Sequence, residues 1–320
     1  MGFDVALSII IPAYNVERYI VWCLDSVLCY EWNIKIEVII INDGSIDKTG
    51  EICKEYKDKY SNVRYFEIEN AGLSNARNMG IMNANGTYIS FLDSDDYIDA
   101  SALESIVKEG INKDVDIIVG EWAQKPIKND WQVSKRIFLH EGVYDSKEFL
   151  LVNLEKNTMR MCEPFNVYRR KLIYENECFF KINIIHEDEL WTPQIFLLAN
   201  SLLYLNRVFY YVINRSNSIT TATNQEKPAY DLLSICLFLK TKYDSETDGR
   251  LKIELLDYLA KLYLGAYRKG KLYLDKTVDR DFPMNNASRN STKFKSYLLK
   301  INGRIFYAFY SIFLKLKRTI

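Results

Sequence analysis

The sequence predicts an α/β protein: a doubly wound, mainly parallel sheet followed by a helical extension at the carboxyl end. Three observations carry that prediction. Over residues 1–120, short apolar runs alternate with longer amphipathic stretches, the pattern of strand–helix–strand crossovers in a sheet covered on both faces. The polar, chemistry-bearing residues fall just after those runs, which would deliver them to the carboxyl edge where such sheets bind ligands. Past residue 220 the pattern is helical only.

Taken in order, Ala6–Ile11 is an apolar run ended by Pro12 and reads as a central strand. Asn15 is placed to cap a helix from Val16, whose apolar positions Val16, Tyr19, Ile20, Cys23, Leu24, Val27 and Leu28 form one stripe. Glu37–Ile41 is a second strand, followed by Asn42-Asp43-Gly44-Ser45 and a helix from Asp47 to about Tyr60. Val63–Ile68 is a third strand, Asn70–Ser74 a turn, and Leu73–Asn83 a helix. Tyr88–Leu92 is a fourth strand, Ser101–Gly110 a helix and Val115–Val119 a fifth strand. Beyond this the alternation weakens. Trp131–His140 reads as a strand, Ser146–Leu154 and Glu187–Ala199 as helices, and Ser201–Ile213 as a long strand. Thr220–Pro228 reads as a polar linker, Tyr230–Leu274 as helical in pattern, Asp279–Thr292 as a second polar connection, and Phe294–Arg318 as a final helix.

Composition narrows the classes. Hydrophobic residues make up 48% and charged residues 26% of the 320, which is ordinary for a globular protein with a sizeable core. Basic and acidic side chains both total 42, which by itself argues neither for nor against a nucleic-acid partner; none is expected. The balance is uneven along the chain, because residues 291–320 hold seven Lys and Arg and no acid. Charge asymmetry of that kind points one end toward an anionic partner. Six scattered cysteines without a CxxC pair, and only His140 and His186 as imidazoles, argue against Zn and for free thiols in a reducing cytoplasm. The amino terminus lacks a basic region and its apolar run is too short for a signal or a span. GxGxxG and GxxxxGK[ST] are both absent, which counts against dinucleotide oxidoreductases and P-loop NTPases.

The chemistry is expected in the loops after the first four strands. Asp93-Ser94-Asp95-Asp96 places three carboxylates at the end of a buried strand. Hard oxygen ligands there suit Mg²⁺ or Mn²⁺, which in turn suit phosphates. A solvated turn is the competing reading of the same residues. Pro12-Ala13-Tyr14-Asn15 offers a flat ring for a base, Asp43 an acceptor for an imide N–H, Gly44 and Gly72 unusual dihedrals, and Arg77 a charge for a phosphate.

These segments also occur together, in order, with specific wording. Ile9-Ile10-Ile11-Pro12-Ala13-Tyr14-Asn15, Ile40-Ile41-Asn42-Asp43-Gly44-Ser45-Ile46-Asp47, Gly72-Leu73-Ser74-Asn75-Ala76-Arg77-Asn78 and Phe91-Leu92-Asp93-Ser94-Asp95-Asp96 resemble the family 2 glycosyltransferases of GT-A fold, especially those of bacterial capsule and cell-surface polysaccharide synthesis. His186-Glu187-Asp188-Glu189-Leu190-Trp191 resembles that family's acidic motif, and Arg215-Ser216-Asn217-Ser218-Ile219-Thr220 resembles the segment closing its catalytic domain. The resemblance covers about residues 5–220.

It implies a catalytic domain over 1–220, with a nucleotide-binding half at 1–120 and an acceptor half at 121–220, and a helical extension over 221–320. It implies an inverting transfer of a hexose or N-acetylhexosamine from a UDP-sugar to a glycan hydroxyl, the acceptor carried on a polyprenyl diphosphate. Pro12, Ala13, Tyr14, Asn15, Asp43, Gly44, Asn75, Arg77 and Asp93 would hold the nucleotide sugar, with Asp43 at uracil and Arg77 at the diphosphate. Asp95, with Asp93, would hold Mn²⁺ or Mg²⁺, and Asp188 would be the base. Glu187, Arg215 and Ser218 would add diphosphate or acceptor contacts, and Asp96 would either back the metal-binding carboxylates or, the preferred reading, cap the next helix. Residues near Trp122, Trp131, Met161 and Phe165 would shape donor choice. Two rival classes remain: a catalytically silent sugar-nucleotide or glycan-binding protein on this fold, and a nucleotidyltransferase, which would want a Gly-rich basic loop where Pro12–Asn15 stands.

The tail is read from its residues. Ile305, Phe306, Phe309, Ile312, Phe313, Leu316 and Ile320 fall on one helical face, flanked by Arg304, Lys315, Lys317 and Arg318. A basic amphipathic helix suits the interface of an anionic membrane, giving a peripheral location on its inner face. Packing onto the catalytic domain, or onto a second copy in a homodimer, is the alternative.

Overall fold

The computed structural model describes residues 4–125, 132–133, 139–213 and 225–319. Two compact units are present. One takes Met1–Lys147, Arg160–Asn183 and Trp191–Ser218; the other takes Glu148–Met159, Ile184–Leu190 and Ile219–Ile320.

The first unit is a mixed sheet with helices on its faces. Its strands are β1 (Leu7–Ala13), β2 (Ile36–Asp43), β3 (Val63–Ile68), β4 (Tyr88–Phe91), β5 (Tyr97–Ile98), β6 (Ile117–Lys125), β7 (Gln132–Val133), β8 (Gly142–Asp145), β9 (Asn166–Arg169) and β10 (Ser201–Ile213). Among the described residues the order is β3-β2-β1-β4-β9-β6-β10-β5, with β7 on β6 and β8 on β10. β1 lies parallel to β2 and β4, β2 parallel to β3, and β6 parallel to β10. β9 runs against both β4 and β6. Every residue of β1 and β2 is buried, which explains their unbroken Ile and Val runs: both faces are covered.

The covering helices are α1 (Ile20–Leu28), α2 (Thr49–Lys59), α3 (Leu73–Asn83) and α4 (Ala100–Lys113). Ile9, Ile11, Val38 and Ile40 pack with Leu24, Val27, Leu103 and Val107 in one core. α5 (Ser146–Lys156), α6 (Arg170–Glu175) and α7 (Glu187–Leu198) follow. The first five expected strands are therefore present, but three pieces of the sheet were not foreseen. β5 is two residues long, and β8 and β9 are four each, too short to show a period. Of the strand expected over Trp131–His140, Gln132–Val133 is extended; Trp131 and residues 134–138 lie outside the described residues.

The second unit is helical: α8 (Glu226–Tyr243), α9 (Gly249–Lys269), α10 (Phe282–Asn286), α11 (Asn290–Ile301) and α12 (Gly303–Thr319). Most of the expected linker, residues 220–224, lies outside the described residues, while Pro228 is already inside α8. The helical pattern expected over Tyr230–Leu274 is present as α8 and α9, the second starting where Asp248 caps it, its carboxylate accepting from the backbone N–H of Arg250 (2.8 Å) and Leu251 (3.2 Å). The connection expected over Asp279–Thr292 contains α10 and the start of α11. The last helix is likewise two. Asn302 is extended, and its side-chain oxygen accepts from the N–H of Arg304 (2.9 Å) and Ile305 (3.3 Å). A Cβ on the next residue, Gly303, would fall 2.2 Å from the Tyr267 hydroxyl. No helix among the described residues is long and apolar enough to cross a membrane.

Candidate active site

Because β1, β2, β3 and β4 are parallel, the loops after them open on one edge. Pro12 and Ala13 close β1 opposite Ile41 and Asn42. Tyr14 follows, half exposed, and Asn15 sits at φ 51°. Asn15 does not cap α1, which begins at Ile20 without a side-chain cap. Instead its backbone N–H donates to Ser45 Oγ (3.1 Å) and its Oδ1 accepts from the N–H of Ile46 (2.9 Å). Val16 N–H donates to Thr49 Oγ1 (2.8 Å) as well, so the first loop is stitched to the second.

The second loop is stitched to the third in turn. The buried Asp43 carboxylate accepts from Ala71 N–H (2.8 Å) and Gly72 N–H (2.9 Å), while Asn70 Nδ2 donates to the Asp43 carbonyl (3.0 Å). Gly44 adopts φ 69°, and a Cβ there would meet the Asn70 nitrogen at 2.8 Å; only glycine fits this crossing. Gly72, at φ 88°, leads into α3, whose first turn contains Asn75, no acidic residue and no side-chain cap. Uncapped N–H groups at a helix start favour an anion such as phosphate.

Arg77, one turn on, is 3% exposed. Its guanidinium donates to Asp93 Oδ1 (2.9 Å), pairs with the buried Glu163 carboxylate and lies 5.4 Å from the Phe180 ring centre. The resemblance assigned Arg77 to the diphosphate; here its charge is engaged by two carboxylates. The lone carboxylate of Glu163 in the stretch Met161-Cys162-Glu163-Pro164-Phe165 was the signal that could have found it.

The carboxylate cluster turns tightly, Asp96 N–H donating to the Asp93 carbonyl (3.0 Å). Tyr210 of β10 braces it from both sides: its hydroxyl accepts from Asp93 N–H (3.2 Å) and donates to Asp96 Oδ2 (2.9 Å). Ile213 N–H donates to Asp96 Oδ1 (2.8 Å). Asp96 is therefore an anchor to β10 rather than a helix cap; Asp99 caps α4 through Ala102 N–H (3.0 Å). Burial, with the negative charges of Asp93 and Asp95 added, pushes the Asp96 carboxyl up to about 8. Burial and the same three carboxylates hold the Cys23 thiol well above its ordinary range. Asp93 and Asp95 are only part-buried. A concentration of hard, anionic oxygens that a cation would neutralise fits Mg²⁺ or Mn²⁺. Trp122 stacks on Phe165 at 4.7 Å, and Phe165 meets Tyr210 edge-on at 5.4 Å, so two of the residues expected to shape donor choice line up beside the brace; Met161 is buried.

Asp188 belongs to the other unit, in the first turn of α7 between Glu187 and Glu189. Its Oδ1 accepts from Glu189 N–H (2.8 Å). The sequence could not separate these three acids, and the structure separates one. Glu189 accepts from the Tyr258 hydroxyl, and burial raises its carboxyl to about 7. Trp191, the aromatic of this motif, is a core residue: its Nε1–H donates to the Cys178 carbonyl (2.8 Å), and it stacks on Phe180 at 4.6 Å. Arg215 and Ser218 lie outside the described residues. The expected residues Pro12–Asn15, Asp43, Gly44, Asn75, Arg77, Asp93 and Asp95 are thus gathered on one sheet edge of the first unit.

Six strands pointing one way, with β9 reversed between β4 and β6 and the short β5, β7 and β8 also antiparallel to their partners, and carboxylates at the end of β4 define an α/β protein of the GT-A architecture. The model of Glycosyl transferase family 2 matches residues 8–176, and the chain belongs to that family. It is 32% identical over 231 residues, 69% of this chain, to the glycosyltransferase GlyA of Streptococcus pneumoniae, and the match spans 32% of GlyA. It is 31% identical over 68% of its length to the uncharacterized glycosyltransferase YibD of Escherichia coli, spanning 64% of that protein. The chain therefore spans less than two thirds of these relatives. Among solved structures it resembles Staphylococcus aureus TarS 1–349 in complex with UDP-GlcNAc, with a TM-score of 0.71, 20% identity, and coverage of 94% of this chain and 88% of that one.

Proposed function

We propose that this chain is an inverting, metal-dependent glycosyltransferase that moves a hexose or N-acetylhexosamine from a UDP-sugar to a hydroxyl of a glycan acceptor in surface-polysaccharide synthesis. The observation that carries this reading is the part-buried pair Asp93 and Asp95 beside the linked loops of β1, β2 and β3. Membership in the family and the likeness to a UDP-GlcNAc-bound fold support it.

In this reading Pro12–Asn15 and Asp43 form the wall for uracil, with the half-exposed Tyr14 ring against the base. The start of α3, with Asn75 in its first turn, receives the diphosphate. Arg77 acts one step back, holding Asp93 in place through their 2.9 Å pair. Asp95 and Asp93 would hold Mn²⁺ or Mg²⁺, which offsets charge building on the departing diphosphate. Asp188, in the first turn of α7, takes the proton from the acceptor hydroxyl. A single displacement by that hydroxyl inverts the anomeric carbon. A polyprenyl-diphosphate-linked acceptor would put the reaction at the inner face of the cell membrane.

A donor panel with Mn²⁺, scoring UDP release with and without lipid-linked acceptor, tests the reading. Asp95→Ala is expected to abolish metal-stimulated donor binding. Asp188→Asn is expected to keep donor binding and lose roughly 10²–10⁴-fold in transfer. Equal turnover by wild type and Asp188→Asn would assign the base elsewhere. Donor binding without turnover on any acceptor would favour a silent sugar-nucleotide-binding protein.

A further inference from the structure

The last two helices bury one face and expose another, and the exposed face is the unexpected one. Thr292, Ser296 and Leu299 of α11 and Phe306 of α12 are buried, Phe306 packing on Tyr267 of α9 with ring centres 5.8 Å apart. Phe306 is therefore not on the outer stripe to which the sequence pattern assigned it. Opposite lie Phe294, Tyr297 and Ile301 on α11, at i, i+3 and i+7, and Ile305, Phe309 and Ile312 on α12, at i, i+4 and i+7. Five of the six are more than half exposed and Phe309 is 39% exposed. Phe294 and Phe309 meet edge-on at 5.5 Å, so the two stripes join into one patch.

Large apolar patches rimmed by polar residues mark interaction sites. Within these two helices the charge is of one sign, and the acid beside them is Asp281. Lys293, Lys300 and Arg304 are exposed around the patch, Lys300 reaching Asp281 at 2.9 Å, and residues 291–320 contain seven basic side chains and no acidic one. Two copies pairing through this surface would set the same positive rim against itself. A nucleic acid would satisfy the rim but leave six bulky apolar groups in water. An anionic bilayer satisfies both, taking the apolar side chains into its interface and the basic ones at its headgroups.

We propose that the outward faces of α11 and α12 together form the surface by which this chain docks on an anionic lipid bilayer. The surface is a two-helix hairpin bent at the Asn302 cap, not a single straight helix. It stands on exposure and charge alone and does not depend on the catalytic reading.

The test is flotation of the full chain with vesicles of phosphatidylcholine containing about one third phosphatidylglycerol, against phosphatidylcholine alone. Binding is expected to the anionic vesicles, and to weaken at least about tenfold on neutral vesicles or at high salt. Ile305→Glu with Ile312→Glu, on α12, and Phe294→Glu with Ile301→Glu, on α11, should each lower partitioning at least about tenfold while leaving the melting temperature unchanged. A chain that stays with neither vesicle, or a variant pair that floats like wild type, overturns the proposal. So does a wild-type dimer in sedimentation that both pairs convert to monomer, which would give the face to a second copy. Donor turnover in detergent-free solution, measured on the same variants, separates failure of docking from failure of the catalytic reading.

Discussion

The sheet edge of the first unit and the outer face of α11–α12 use polar and apolar groups in opposite ways. At the edge, carboxylates and amides are consumed in fixing loops: Asp43 holds the Asn70–Gly72 turn, Asn15 holds the β2 loop, and Tyr210 holds Asp93 and Asp96. On the hairpin, apolar side chains that could fill a core stand in solvent. The first is a rigid template in which few groups remain for a ligand. The second is a surface whose groups are still to be satisfied. A buried polar network costs the fold if any member is left without its partner, whereas an exposed apolar face costs little until it finds a match.

That contrast can be broken where a network member is removed. Glu163→Gln is expected to have the largest effect on stability, because it takes a carboxylate from the buried Arg77. Loss of one partner of a buried ion pair costs about 3–5 kcal/mol, readable as a lower urea midpoint. Donor affinity should fall with it, since Asp93 loses its fixed neighbour. A variant as stable as wild type would show that Asp93 alone satisfies the guanidinium.

The second test sharpens the contrast within the helical unit. Burial raises Glu189 to about 7, so folding is penalised where the unfolded carboxylate has ionised and the folded one has not. The penalty is absent below about pH 4.5, grows as pH rises toward about 7 and is complete above it. Stability should therefore fall across that window from this group, as it also does from Asp96, and Glu189→Gln should lessen the fall in a series of denaturant titrations. A slope unchanged by the substitution would place the titration on another group. The smallest effect is expected at the hairpin bend. Asn302→Ala removes the cap of α12 and should cost about 1 kcal/mol, seen as a small drop in melting temperature with donor turnover intact.

How legible this was depends on burial. The first four strands were readable to within two residues: β1, β2 and β4 because every residue in them is buried, so that apolar side chains dominate before their polar ends, and β3, only part-buried, from its β-branched and aromatic residues. The loops were readable for the same reason, each polar residue standing out after such a run. β9 was not, because Asn166-Val167-Tyr168-Arg169 is too short to show a period and gains its place only from β4 and β6. Tyr210 gave no signal within Phe209-Tyr210-Tyr211, since its role is fixed by residues more than a hundred positions away. The break at Asn302 was hidden because the apolar spacing continues across it, and only the cap shows that the stripe belongs to two helices.

The reversed strand β9 also bears on how the chain assembles during synthesis. β3, β2 and β1 have all their sheet neighbours within residues 7–91, β4 has one of its two there, and the four can zip together early, from nearby crossovers. β6, made later, has only the two-residue β7 as a partner until residues 166–169 and 201–213 have emerged. A nascent chain halted between those points would carry an apolar strand whose main partners are still missing. Ribosome stalling in that interval is where misassembly of this sheet would begin.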